Sequence, residues 1–141
     1  MVNSIKTGFW MGVRTTGMLA RVIAPVYFVV AVLSRSGGLE LIAHWFEPIM
    51  RMFGLPGEAA LVLVLGNAVN LYAALGAIAV ISLTRGQLTV LALMLGFSHS
   101  LFVESAVVKQ TGVSIRIILP LRLGMMVLVG LLAGQLLGGV A

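Results

Sequence analysis

The sequence predicts an all-α, polytopic integral membrane protein. It should hold about four to five membrane-embedded helices, a central hairpin of broken helices and two amphipathic interfacial helices. Three observations lead there. First, 60% of the 141 residues are hydrophobic and only 9% are charged, with a mean hydropathy of +1.15. A soluble domain carries about 25% charged residues and at most about half apolar ones. Second, the charge-free runs are long: 25 residues over 59–83, 18 over 86–103 and 19 over 123–141. A spanning helix needs roughly 17–25 apolar residues. Third, two of these runs carry a polar interruption in the middle, at 66–72 and 96–104.

The elements follow in order. "VNSIKTGFWMGVRTT", residues 2–16, mixes Ile5, Phe9, Trp10 and Met11 with Lys6 and Arg14. This pattern fits a helix lying at the interface with Trp10 at headgroup depth. It runs on into a first membrane helix built on "VIAPVYFVVAVL" (22–33), with Pro25 as a possible kink. "SRSGG" (34–38) is a turn. Over 39–53, Leu39, Ile42, Trp45, Phe46, Ile49, Met50 and Phe53 recur at three- and four-residue spacing. Glu40, His44, Glu47 and Arg51 take the other face, which makes an amphipathic helix too polar to span. "GLPGE" (54–58) breaks it, and Glu58 opens the next helix near its positive end.

The segment 59–83 is joined to the segment 87–108 through the short turn Thr84–Gly86, so the two form a hairpin. "KQTG" (109–112) is a loop, and the apolar stretch 115–121 carries Arg116 and Pro120. A last helix is expected over 121–139. Gly130, Gly134 and Gly138 give it a ridge that another helix can approach closely. The chain reads as one membrane domain over 1–141, divided at 1–53, 54–112 and 113–141.

Several function classes drop out. The sequence contains no cysteine, hence no disulfides and no thiolate metal ligands. The first 16 residues lack the apolar core of a secretory signal. The net charge of +5 comes from scattered residues, so no nucleic-acid partner is expected. No phosphate loop, catalytic triad or HExxH motif is present, so no enzyme activity and no cofactor are expected. Orientation is a near tie. Lys6, Arg14, Arg21 and Arg85 would lie on one side, against Arg35, Arg51, Lys109, Arg116 and Arg122 on the other.

The polar interruptions carry the candidate site. Gly66, Asn67 and Asn70 lie in the first. Gly96, Ser98, His99 and Ser100 lie in the second, with Glu104 one turn on. Polar backbone at membrane depth survives only when buried in protein or lining a wet cavity. Paired Gly-interrupted segments are the sequence pointer to a transporter's binding site. The plainer alternative is that Asn, Ser and His only hydrogen-bond to neighbouring helices, each contributing about 1 kcal/mol or less. Glu104 is harder to place, since a carboxylate at depth costs about 2.5 kcal/mol or more, unless it lies at the interface near Lys109. Tyr72 packs and offers a hydroxyl. His99 could relay protons near neutral pH. With Glu104 it could take a metal, for which a lone histidine is weak evidence.

At "GLPGEAALVLVLGNAVNLYAAL" and "LTVLALMLGFSHSLFVESAVVKQTG" the chain resembles the nucleoside-recognition, or Gate, family. That family includes the membrane halves of ferrous iron transporter B and the spore maturation proteins A and B. The likeness covers about 54–112. The iron transporters carry cysteine in both breaks, whereas Val69 and His99 stand in those positions here and Asn70 keeps the neighbouring asparagine. A site with no thiolate is a poor copy of an iron path.

The resemblance implies a half-size transporter-like protein of the bacterial inner membrane. A small polar, nucleoside-like solute would bind between the breaks, at Asn67, Asn70 and Tyr72 on one side and Ser98, His99 and Ser100 on the other. Glu104 would take a coupling ion or a sugar hydroxyl. Full transporters of the family carry two such units, so a homodimer is expected, meeting at the hairpin or the Gly130 ridge. A non-transporting accessory subunit is the alternative the spore-maturation likeness allows, and a divalent-metal permease is the weaker third.

Overall fold

The computed structural model describes residues 2–138, with side chains described from Ser4 to Leu137. The described chain is helical throughout: α1 (Val2–Arg35), α2 (Gly38–Arg51), α3 (Ala59–Ala68), α4 (Leu71–Ile78), α5 (Arg85–Ser98), α6 (Leu101–Gln110) and α7 (Ile115–Ala133). A π-helical turn, Gly134–Gly138, closes α7.

Three stretches are long and apolar enough to cross a membrane: Ser4–Arg35, Arg85–Gln110 and Ile115–Leu137. Ala59–Ala68 is a shorter apolar helix. At 34 residues, α1 is about 50 Å long, well beyond the roughly 30 Å of hydrocarbon. One face of its C-terminal half packs against the rest of the molecule, while Tyr27, Phe28, Val29 and Val32 stay exposed. Val30 is buried, and the close approach of Gly76 to the Ile23 carbonyl and Val26 brings α4 against it. Residues 4–18 are exposed on every side, and Phe9 and Trp10 stack edge to face at 6.1 Å. The excess length and the lack of packing agree with an arm that leaves the hydrocarbon.

The expected amphipathic helix at 39–53 is α2. Its apolar stripe divides: Leu39 and Met50 are buried, as is Phe53 just beyond the helix end, while Trp45, Phe46 and Ile49 stay exposed. Arg51 pairs with Glu47 on the outer face at 2.6 Å. Pro48 lies inside the helix without ending it.

The pair of broken helices is present, in a more specific arrangement than two segments zipped together. The segment 59–78 folds back on itself, so that Gly66 of α3 lies against Ala74 of α4 as well as Leu95 of α5. The turn before α5 is not at 84–86, because α4 already ends at Ile78. Arg85 and Gly86 belong to α5, which opens with a capping box. Gln87 N donates to Thr84 Oγ1 at 3.3 Å, and Thr84 N donates to Gln87 Oε1 at 3.0 Å. The T-x-x-Q spacing that encodes this is legible in sequence.

The last helix starts at Ile115, not at 121. Ser114 O accepts from the N–H groups of Ile117 and Ile118, and Pro120 is carried inside the second turn. The core runs through α3, α4 and α5, with Val62, Ala74, Ala77, Val90, Leu91 and Met94 fully enclosed.

The glycine ridge of α7 is already occupied within the chain. A Cβ at Gly130 would meet Met94 and Phe53, and one at Gly134 would fall on the Phe53 backbone. This corrects the expectation that the ridge at Gly130 is free for a second copy. The surroundings of Gly138 lie outside the described residues.

Candidate functional site

A helix leaves its last four carbonyls and first four N–H groups without intrahelical partners. Two breaks inside the membrane region therefore create orphans that must be satisfied locally. Here the breaks satisfy each other. At the first, Val69 leaves the helical region and Asn70 is extended, with φ −172° and ψ 171°. At the second, His99 is extended and Ser100 is left-handed, with φ 52°. That conformation is uncommon for a residue with a side chain and costs about 1 kcal/mol or more. It turns Ser100 N–H onto the Gly66 carbonyl at 2.9 Å. One orphan donor at the start of α6 thus meets one orphan acceptor at the end of α3. Glycine at 66 suits this contact, because a Cβ there would meet the Leu95 side chain at 2.5 Å and push it aside.

Two further carbonyls of the second break are taken by Arg122 from α7. Its Nε donates to Phe97 O at 2.9 Å and its Nη2 to His99 O at 3.1 Å. Its Nη1 pairs with Glu104 Oε2. A cation at a helix C-terminus also meets the negative end of the dipole, while Glu104 lies in the first turn of α6, at that helix's positive end. His99 Nε2 is 3.1 Å from Glu104 Oε1, and its Nδ1 is 2.8 Å from the Leu95 carbonyl. His99, Glu104 and Arg122 thus form one bonded cluster across the break, with three helices contributing.

Arg122 was not among the residues expected at the site. It counted as a loop-end charge, yet it lies within the Ile115–Leu137 span with its side chain 18% exposed. Removing it from the topology count leaves the orientation tie closer still. Its position also bears on the metal candidates. Two of the acceptors beside His99 and Glu104, His99 O and Glu104 Oε2, are bonded to a guanidinium. Among the described residues no group of three His, Asp or Glu side chains comes together.

The other expected site residues divide. Ser98 is fully buried and its Oγ donates back to Met94 O at 3.0 Å. This corrects its placement on a solute-lined wall: a hydroxyl in an apolar helix finds its partner one turn back. Asn70 is the N-cap of α4, with Oδ1 accepting from Ala73 N at 2.9 Å. Asn67 Nδ2 reaches only the Met126 sulfur at 3.9 Å, and its buried Oδ1 has no partner. Tyr72 is exposed. A cavity of about 370 Å³ between α4 and α5 reaches His99 and is otherwise lined by apolar residues such as Leu71, Leu75 and Leu88.

The cap gives one expected result. Asn70→Ala should lower stability by about 1 kcal/mol, and Asn70→Ser should retain most of it, because Ser also caps and stays neutral at this depth. Thermal unfolding in detergent checks this. Equal loss in both variants would show that the cap contributes nothing.

An all-α membrane protein with two helices broken side by side, and with polar groups gathered at the breaks, is the class this architecture defines. The family model described as "Gate: Nucleoside recognition" matches residues 17–114. The chain belongs to that family. It is 38% identical over 125 residues to an uncharacterised membrane protein, YvoD, of Bacillus subtilis, covering 89% of this chain and 40% of that protein. It is 34% identical over 93 residues to the inner membrane protein YjiG of Escherichia coli, covering 62% of this chain and 54% of the relative. The chain thus spans about half or less of the length of these relatives. No solved structure matches significantly. With its relatives named for the membrane and its three apolar spans, the chain is an integral membrane protein of the inner-membrane kind.

Proposed function

We propose that the chain is one half of a transporter-like unit that binds a small polar, nucleoside-like solute at its paired breaks and works as a homodimer. The observation that carries this reading is the contact between Ser100 N and Gly66 O. It fastens two non-helical stretches together and gathers Asn67, His99 and Glu104 around them. The unpaired Asn67 Oδ1 is an acceptor that a solute donor would satisfy. Glu104 and His99 keep about a third of their side-chain surface open.

Because the breaks touch directly, one chain leaves little room between them. A second copy facing the same cluster would supply the other wall. The exposed apolar residues of α6 and α7, among them Phe102, Val103, Ile117 and Leu121, are surfaces for lipid or for that copy.

The direct contact also favours a second reading, an accessory subunit without transport in which the breaks serve assembly. A thermal-shift panel of nucleosides, nucleobases and divalent cations on the purified protein separates the two. A ligand at 100 times its Kd should add about 2.7 kcal/mol. The transporter reading expects a nucleoside shift that His99→Ala abolishes, and a dimer by light scattering and by crosslinking in membranes. A flat panel with a stable foreign partner in pull-downs would establish the accessory reading instead. A shift with divalent cations alone would favour the metal permease.

A further inference from the structure

We infer that the groove between α6 and α7 holds one anionic phospholipid, with its phosphate at Lys109 and Arg116 and an acyl chain running inward between the helices. The groove is a cavity of about 500 Å³. Leu101, Ser105 and Lys109 line it from α6, and Ile115, Leu119 and Leu123 line it from α7. Each set recurs every four residues, so each is a single stripe along its helix. His99, Glu104 and Arg122 are not in the lining. The groove is therefore separate from the cluster at the breaks.

Its depth follows from the two helices. Helix α6 ends at Gln110 and α7 begins at Ile115, so Lys109 and Ile115 lie at the same face of the membrane. Leu101 and Leu123 are each eight residues further in, about 12 Å along a helix. The hydrocarbon of one leaflet is about 15 Å deep, half of the roughly 30 Å core. The space stays open because α6 has no buried residue and carries the small side chains Ser105 and Ala106 along it.

The charge at the mouth selects the occupant. The stem of Lys109 lies along the apolar wall, which leaves the ammonium free to reach the headgroups. Arg116 is exposed in the first turn of α7, three residues before Leu119 and so at the edge of the same stripe. Neither has an ion-pair partner among the described residues. Glu47 and Glu104 pair with other groups, and Glu40 and Glu58 belong to α2 and the start of α3. Two unpaired cations above an apolar slot one leaflet deep match a phosphate above a chain. Basic pockets between membrane helices hold anionic headgroups in this way. A second copy in the same orientation would instead bring its own Lys109 and Arg116 to the same depth, like charge against like.

The lipid also bears on the breaks. Helix α6 carries Glu104, and a chain seated between α6 and α7 supplies packing that α6 lacks within the protein. This site is independent of transport, so a silent nucleoside panel leaves it standing.

Nanodiscs of phosphatidylcholine with a small share of photoactivatable lipid, its diazirine in the acyl chain, provide the test. Mass spectrometry locates the labelled peptides. Phosphatidylglycerol should label residues 101–123 about twentyfold more than phosphatidylcholine with the same chains, since each cation near an anionic headgroup contributes about fivefold. Lys109→Gln with Arg116→Gln should bring that ratio to unity, and Lys109→Arg with Arg116→Lys should keep it. Labelling of the arm over 4–18 should be the same in all three proteins, which controls for insertion. A wild-type ratio near unity overturns the inference, as does a ratio that the neutral pair of substitutions leaves unchanged. Competition by glycerol phosphate as strong as by the lipid overturns it too, because a free anion would then be the ligand. So does a groove that neither lipid labels and where Ala106→Cys crosslinks two chains, which would assign it to a second copy.

Discussion

Arg122→Ala is expected to destabilise the protein by about 3 kcal/mol, more than any other single side-chain truncation at the site. The guanidinium bonds two carbonyls at the end of α5 and the carboxylate of Glu104. Hydrogen bonds to a charged group contribute about 1.5–3 kcal/mol each and do not simply add. Breaking a buried pair by removing one partner costs about 3–5 kcal/mol, because the other charge is stranded. The lower end applies because Glu104 is 38% exposed and partly screened.

Arg122→Lys should recover less than half of the loss, since one ammonium cannot reach three acceptors held by a planar fork. Adding Glu104→Gln to Arg122→Ala should return about 1–2 kcal/mol by removing the stranded charge. Unfolding in mixed detergent of the wild type, the two Arg122 variants, Glu104→Gln and the double variant measures these differences. A loss for Arg122→Ala below about 0.5 kcal/mol, or no coupling with Glu104→Gln, would mean that the cluster is a solvated surface pair.

Arg122 also shows where sequence reasoning reached and where it stopped. The membrane class, the amphipathic α2 and the two breaks follow from hydropathy and period alone, because those signals are local. Asn67, Asn70, His99, Ser100 and Glu104 were legible as polar groups that an apolar run has no reason to contain. Their partners were not. Whether Ser98 faces a cavity or its own backbone depends on a helix rotation of a few tens of degrees, which composition does not fix. Arg122 looked like one basic residue among nine at the end of an apolar run, since α7 was expected to begin at 121. Starting the helix at Ile115 carries Arg122 into the span. A charge inside a span points to a buried partner, so a Ser114 cap recognised ahead of the "Ile115–Arg116" pair would have flagged it. The fold-back at Val69 and Asn70 was equally hidden, because a kinked helix and a hairpin present the same hydropathy.

The glycines of α7 provide the second large effect and decide what the ridge is for. Gly134→Ala should cost about 3 kcal/mol. Its Cβ would enter the Phe53 backbone itself, at the carbonyl, the carbonyl carbon and Cα, and backbone cannot rotate out of the way as a side chain can. Overpacking of this kind costs typically about 1–3 kcal/mol, occasionally more. Gly130→Ala should cost less, about 1 kcal/mol. Its neighbours at 2.9 Å are the Met94 sulfur and the Phe53 ring, which can shift. Gly124→Ala should be neutral or stabilising by up to about 1 kcal/mol, because nothing lies within 4 Å of its Cβ and alanine is the better helix former.

The order 124, 130, 134 is thus a gradient of packing along one helix, and unfolding midpoints of the three variants test it directly. If Gly134→Ala left stability intact and instead turned dimers into monomers, the ridge would belong to an interface between copies. Loss of stability with the oligomeric state unchanged would show that the ridge packs within the chain, against the Phe53 backbone.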